Sequence, residues 1–326
     1  MDRVNALLCE VSPPDEKGFM SFGPTGTYHN GIISEKADRV IVQVNEQTPY
    51  VYGFENVIHV NDVDYIVESS HPIPEMPEIL ITERERKIGS MIAEQIPDGA
   101  TIQIGIGGVA NAIGHFLTDK KDLGVHTEML TDSMVDLAKK GVITNRAKNY
   151  HHGKMLIGGI CIGSKGTYRF IDRNPMLEFC PIYYATNRQR IARNDNFISI
   201  NNALSVDLTG QIASENIGFS MYSGTGGQAD FLRGATLSKG GKSFIALKSA
   251  SNPGKDGSLQ TRIVSCFHPG TAVTTVRADV MYVVTEYGIA DLWQKTTRQR
   301  VNAMIAIAHP DFREQLEKEA RESSLL

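Results

Sequence analysis

In the stretch "ATIQIGIGGVANAIGHFL", residues 100–117, a strand over 100–107 runs straight into a helical pattern that opens at Gly108. A strand feeding a helix in this way is the repeating unit of α/β folds. The pattern recurs at once: "GVHTEML" (124–130) is strand-like and "SMVDLAKKG" (133–141) is helical. Apolar strands alternating with helices continue to the end of the chain. A largely parallel sheet flanked by helices is therefore expected, with the charged, amphipathic "DFREQLEKEARESS" (311–324) as a solvated surface helix.

Upstream of residue 100, "TERERKIGSMIAEQI" (82–96) predicts a helix. Thr82 is its N-cap, acids fall early, and Ile88, Met91, Ile92 and Ile96 share one face. Earlier still, "ALLCEVS" (6–12), "ADRVIVQVN" (37–45), "NVIHV" (56–60) and "VDYIVES" (63–69) read as short strands. The proline-rich "SSHPIPEMPEI" (69–79) breaks regular structure and reads as a linker. It divides residues 1–80 from residues 81–326.

With 326 residues, 41% of them hydrophobic and 21% charged, the chain can bury a sizeable core. A net charge of −4 gives no general attraction to nucleic acid or to an anionic membrane. The longest apolar runs are too short to span a bilayer, and no signal-peptide cleavage site follows the start of the chain. Cys9, Cys161, Cys180 and Cys266 are scattered, with no CxxC pair, so a reducing cytoplasm is expected.

Two glycine loops carry the first chemical signals. Gly105, Gly107 and Gly108 lie at a strand-to-helix turn, where backbone N–H groups can face an anion or a developing oxyanion. Their spacing breaks the G-x-G-x-x-G dinucleotide fingerprint, and a tight turn without function reads equally well. Gly224, Gly226 and Gly227 in "YSGTGGQADFLRGA" (222–235) let the backbone approach a phosphate or a pantetheine chain, with Arg233 as a possible local charge. Lys248 ends a strand where open α/β sheets bind ligands, although a single lysine is more simply a surface residue.

Three glutamates compete as the reactive group: Glu128 at a strand end, Glu215 in "ASENIG", and Glu286 after the strand-like "VMYVVT". Each reads equally as a rim carboxylate near a helix start, and position alone does not separate them. Metal sites look poor: His151 and His152 are adjacent, and His126 has no partner at helical spacing. No G-x-S-x-G supports a serine hydrolase, and His268, before Pro269-Gly270, reads as a turn residue.

Seven ordered motifs, "SPPDEKGFMSFG", "IQIGIGGVANAI", "GVHTEML", "GQIASENIG", "SGTGGQADFLRGA", "GTAVTTVRADVMYVVTEYGIADL" and "IAIAHPDFREQL", run through essentially the whole chain. Together they resemble the acetyl-CoA hydrolase/transferase family, and within it carboxylate CoA-transferases of the butyryl-CoA:acetate and 4-hydroxybutyrate type. The resemblance implies a CoA-transferase-like (NagB/RpiA-type) α/β fold, with a partial second α/β domain in residues 1–80. A C-terminal domain in residues 81–326 would carry nucleophile and CoA site.

It also implies the roles. Glu128, in "HTEM", would be the nucleophile and Gln103 an oxyanion donor. Gly105, Ile106, Gly107, Gly108 and Val109 would form a mobile loop over CoA; Gly224, Gly226, Gly227 and Lys248 would hold it. Ala110 stands where relatives have proline, and relatives begin well upstream of "LLCEVSPPDE", so most of an N-terminal domain is expected to be missing. Acyl-CoA and short-chain carboxylates are the implied substrates, with CoA as substrate rather than prosthetic group, no metal, no nucleic acid, no membrane and a homodimer or larger assembly. The alternatives are an acyl-CoA hydrolase using the same glutamate and a non-catalytic CoA-binding subunit, with a nicotinamide dehydrogenase a distant third.

Overall fold

The computed structural model describes residues 3–76, 80–160, 162–252 and 257–326; Cys161 and residues 77–79 of the expected linker lie outside them. The N-terminal part builds a small parallel sheet from β1 (Leu7–Val11), β2 (Val40–Asn45) and β3 (Tyr65–Ser69), with β2 in the middle. Leu7, Val11, Met20, Phe22, Val40, Val42 and Ile58 form its own apolar cluster. The edge strand β3 exposes Tyr65, Ile66 and Val67.

The larger sheet is eight-stranded. Its strands are β4 (Thr101–Ile104), β5 (Gly124–Met129), β6 (Met155–Gly159), β7 (Leu177–Phe179), β8 (Phe197–Asn202), β9 (Lys242–Ala246), β10 (Tyr282–Thr285) and β11 (Gly288–Asp291). The spatial order is β11-β10-β9-β8-β4-β5-β6-β7, and every neighbour pair is parallel except the hairpin β10–β11. From β4 the chain walks outward to β7, then returns to lay β8 on the other side of β4. The order therefore reverses between β4 and β8, and open α/β sheets bind ligands beyond the carboxyl ends of strands at such a point.

Buried strands explain the near-continuous apolar runs in the sequence: β4 and β6 are buried at every position. Helix α1 (Glu83–Glu94) starts where predicted, with a capping box between Thr82 and Glu85. Its Ile88 and Ile92 join the main core, as does Ile96 just beyond its end. The strand predicted over 100–107 ends at Ile104; Gly105 N still bonds to β8, and the chain turns away at Ile106–Gly107. Gly107, at φ 121°, adopts a backbone that disfavours side chains, and α2 (Gly108–Phe116) begins at the next residue. Helix α3 (Asp132–Lys139) follows β5.

The described part of the 69–79 stretch is irregular, as expected, but it is pinned. Met76 N donates to the Gly163 carbonyl, and the Tyr168 hydroxyl donates to the Pro74 carbonyl. Among the described residues no helix is long and apolar enough to cross a membrane.

Candidate active site

Glu128 is the penultimate residue of β5. Strand alternation turns its neighbour Met129 to the opposite face, where Met129 lines a cavity of about 400 Å³ with Ile106, Gly107, Asn111, Leu130 and Thr131. The Glu128 carboxylate faces the other way, toward α4 (Gln228–Leu237). Its Oε2 accepts from the Gly227 backbone N–H at 2.9 Å, and its Oε1 accepts from the Tyr28 hydroxyl at 2.6 Å. The carboxylate thus caps the N-terminus of a ten-residue helix, where the backbone presents positive partial charge. The expected alternative, that Glu128 caps the helix following β5, does not describe its contacts: Thr131 is the N-cap of α3.

Glycine is required at 227 for reach rather than for φ. A Cβ there would collide with Glu128 Oε2 and would stand 2.9 Å from the Thr186 methyl. Gly226 has φ 57°, and neither Gly224 nor Gly226 has atoms within 4 Å of where a Cβ would be, so this loop borders open space. The first loop differs. Gly105 N donates to the Ile200 carbonyl, the Asn202 side chain donates to the Ile106 carbonyl at 2.7 Å, and a Cβ on Gly108 would collide with Glu85. Ile106 itself is exposed.

Lys248 reaches that same helix start. Its Nζ is 3.1 Å from Glu85 Oε1, and both side chains are largely buried. Burial alone would raise the Glu85 carboxyl; the Thr82 hydroxyl and amide, with the Lys248 ammonium, hold it below its ordinary value. Gln103 is buried, and its amide works inside a network. Oε1 accepts from Ser199 (2.7 Å) and Asn201 (3.1 Å), while Nε2 donates to Asn201 Oδ1 at 3.2 Å. These bonds tie β4 to β8 across the reversal point of the sheet. Arg233 is paired with Asp279 at 2.7 Å and is not a free charge for a ligand.

The rival glutamates have other surroundings. Glu286 accepts from the Ser249 amide and hydroxyl, each at 2.9 Å. Glu215 is buried at 6% exposure, with no hydrogen bond or ion pair to its carboxylate among the described residues. Its backbone carbonyl accepts from Tyr222 and Ser223, which anchors the root of the Gly224–Gly227 loop. His126 is wholly buried, donating to the Ala185 carbonyl and accepting from Asn194; burial pushes its pKa down to about 3, so it is neutral. His151 contacts Glu178 and Tyr184, the His268 carbonyl closes a turn with Thr271, and no metal-ligand cluster occurs among the described residues.

Tyr28 was not visible from the sequence. It lies between the short helices Gly23–Gly26 and Asn30–Ser34, one hundred residues before its partner. Burial, reinforced by the neighbouring carboxylate, pushes its phenol up, so it stays protonated and can only donate to Glu128.

A carboxylate fixed at a strand end between a helix-start amide and a phenol, beside the Gly224–Gly227 loop, defines an α/β protein with a prepared carboxylate site. The acetyl-CoA hydrolase/transferase N-terminal domain pattern matches residues 2–77, and the C-terminal domain pattern of the same family matches residues 163–320. The chain is 46% identical over 316 residues to the 4-hydroxybutyrate coenzyme A transferase of Clostridium kluyveri, covering 97% of this chain and 72% of that one. It is 44% identical over 332 residues to the butyryl-CoA:acetate CoA-transferase of Anaerostipes caccae, covering 100% and 73%. The crystal structure of RipA from Yersinia pestis superposes with a TM-score of 0.93 at 37% identity, over 99% of this chain and 71% of that one. This protein belongs to the acetyl-CoA hydrolase/transferase family.

Proposed function

We propose that the chain is a carboxylate CoA-transferase that moves CoA between a short-chain acyl-CoA, such as butyryl-CoA, and a free carboxylate, such as acetate. Glu128 is the nucleophile in this proposal. The observation that carries it is the Glu128 carboxylate itself, half-buried at the carboxyl end of β5 and held by one backbone and one side-chain donor.

The chemistry runs in two reversible halves. A Glu128 oxygen attacks the thioester carbonyl and expels CoA thiolate, leaving an acyl-glutamyl anhydride. The thiolate then attacks the glutamyl carbonyl and displaces the first acid, leaving a glutamyl-CoA thioester. A second carboxylate reverses both steps. The thioester bond energy is retained throughout, and the scheme invokes neither ATP nor a metal. A carboxylate is a weak nucleophile in water, so closure of the site around it matters.

The Gly105–Val109 loop, Gly224, Gly226, Gly227 and Lys248 are assigned to CoA, which is a substrate here. Gln103 is assigned to the oxyanion site, where an amide hydrogen beyond the one given to Asn201 would serve. Residues 1–80 are assigned to an N-terminal CoA-transferase domain and residues 81–326 to the C-terminal domain. A cytoplasmic homodimer or larger assembly completes the proposal, its size to be read by light scattering.

The test is a covalent trap: incubate with butyryl-CoA, quench, digest with trypsin, and weigh the peptide from Asp122 to Lys139. CoA attached at Glu128 is the expected result; CoA on Glu215, or CoA bound without any adduct, overturns the assignment. Thiol release that proceeds equally fast without acetate would make the protein a hydrolase instead.

A further inference from the structure

We propose that Tyr28 is a catalytic residue whose hydroxyl receives the negative charge that develops on Glu128 Oε1 when the glutamyl carbonyl is attacked. This rests on the glutamyl mechanism above and assigns a donor that mechanism leaves open.

The phenol is held in place by more than its own bond. The segment carrying it is stitched to the end of β6 and to the helix Ile182–Ala185. Ile160 N donates to the Pro24 carbonyl at 2.9 Å, and the Thr25 hydroxyl donates back to the Ile160 carbonyl at 2.9 Å. The Thr27 hydroxyl donates to the Gly158 carbonyl, and Ile182 N donates to the Tyr28 carbonyl at 3.1 Å. A Cβ at Gly159 would stand 3.1 Å from the Pro24 carbonyl oxygen, so backbone meets backbone closely here. A donor fixed this way needs no reorganisation when charge appears in front of it.

In the resting carboxylate, one negative charge is shared by two oxygens, so Tyr28 stabilises about half of it and makes the first attack no easier. The balance changes in the second step. The CoA thiolate sulfur bonds to the glutamyl carbon, the C=O electron pair moves onto Oε1, and Oε1 now carries a full charge 2.6 Å from the hydroxyl position. That pair then re-forms the carbonyl, and the bond from the glutamyl carbon to Oε2 breaks. The acid leaves as its carboxylate with that electron pair. No proton moves, which suits a phenol that keeps its own. The Gly227 N–H lies at Oε2, the atom that departs with the acid when the thioester forms. Interactions stronger in the transition state than in the ground state accelerate the step, and the Tyr28 bond is of that kind for glutamyl-CoA formation.

Tyr28→Phe removes only the hydroxyl. The expected result is a fall in kcat on the order of 10²–10³, the usual cost of one oxyanion donor, with the Kd for CoA unchanged. In single turnovers with butyryl-CoA, the adduct on the Asp122–Lys139 peptide should form more slowly by the same factor, and water should capture a larger share of the acyl group. Turnover within about threefold of wild type overturns the proposal, as does loss of CoA binding in step with activity, which would make the phenol structural. Glu128→Ala is run beside it: if that variant still transfers CoA, the glutamyl mechanism falls, whatever Tyr28→Phe does.

Discussion

At the scale of residues, three glutamates with equal claims in the sequence separate by their partners. Glu286 spends both oxygens on Ser249, Glu215 is buried at the root of the Gly224–Gly227 loop, and Glu128 alone faces a glycine loop with two donors. Glu128→Ala should abolish CoA transfer, whereas Glu215→Ala should leave measurable turnover; isotope exchange between acyl-CoA and free acid reads both. Gly227→Ala is a second case. Its backbone φ of −88° accepts alanine, but the added methyl meets Glu128 Oε2. A drop of about 10² or more in kcat, with little change in melting temperature, is expected from displacing a reacting atom by an ångström. The place of Glu128 at a strand end was legible from the apolar run before it, but its role was not: position left three glutamates equal, and only the resemblance carried by "HTEM" singled it out. Tyr28 was not: "GTYHNG" reads as an ordinary loop, and a contact spanning one hundred residues leaves no periodic trace. Gln103 was named only through the resemblance, and the direction of its amide depends on Ser199 and Asn201 in a strand far along the chain.

At the scale of elements, α1 was readable because capping is local chemistry. Thr82 and Glu85 satisfy each other's backbone amides within four residues, and the apolar spacing did the rest. The same Glu85 packs against Gly108 and pairs with Lys248, so the cap also buttresses the start of α2. Thr82→Ala should cost about 1 kcal/mol of stability in urea unfolding. Glu85→Ala should cost more, because it strands a mostly buried Lys248 as well. The Glu85 carboxyl is held below its ordinary value, so its contribution is fully present above the unfolded pKa. That contribution is lost as pH falls through the lower folded value. The strand end at Ile104 was misjudged because glycine is compatible with a strand; only the φ of Gly107 and the bond from Asn202 show where the chain departs.

At the scale of the molecule, alternation of strands and helices disclosed the parallel sheet, whereas the order of its strands depended on which faces meet. Lys148 illustrates the cost of one such meeting. Its stem runs over Gly124, and its Nζ donates to the carbonyls of Val125 and Lys154 at 2.7 Å each. Burial, partly offset by Glu178, pulls its pKa from 10.5 down to about 7. Between those values the unfolded chain holds a proton that the folded chain has released, so stability rises with pH. Lys148→Met removes that dependence: wild type should gain on the variant from pH 7 to pH 10 in chemical denaturation, and a constant gap would count against the assignment.

The stitching of Pro24–Tyr28 to β6 has a consequence for how the protein fails. Glu128, the proposed nucleophile, belongs to the large sheet, and one of its two donors rides with the N-terminal part, which has only a small apolar cluster of its own. Parts of a protein open at different free energies, and small clusters open first. Activity should then fade in urea before the far-UV circular dichroism moves, so that catalysis serves as a gauge of local fraying, with the large sheet still folded when the enzyme has already gone silent.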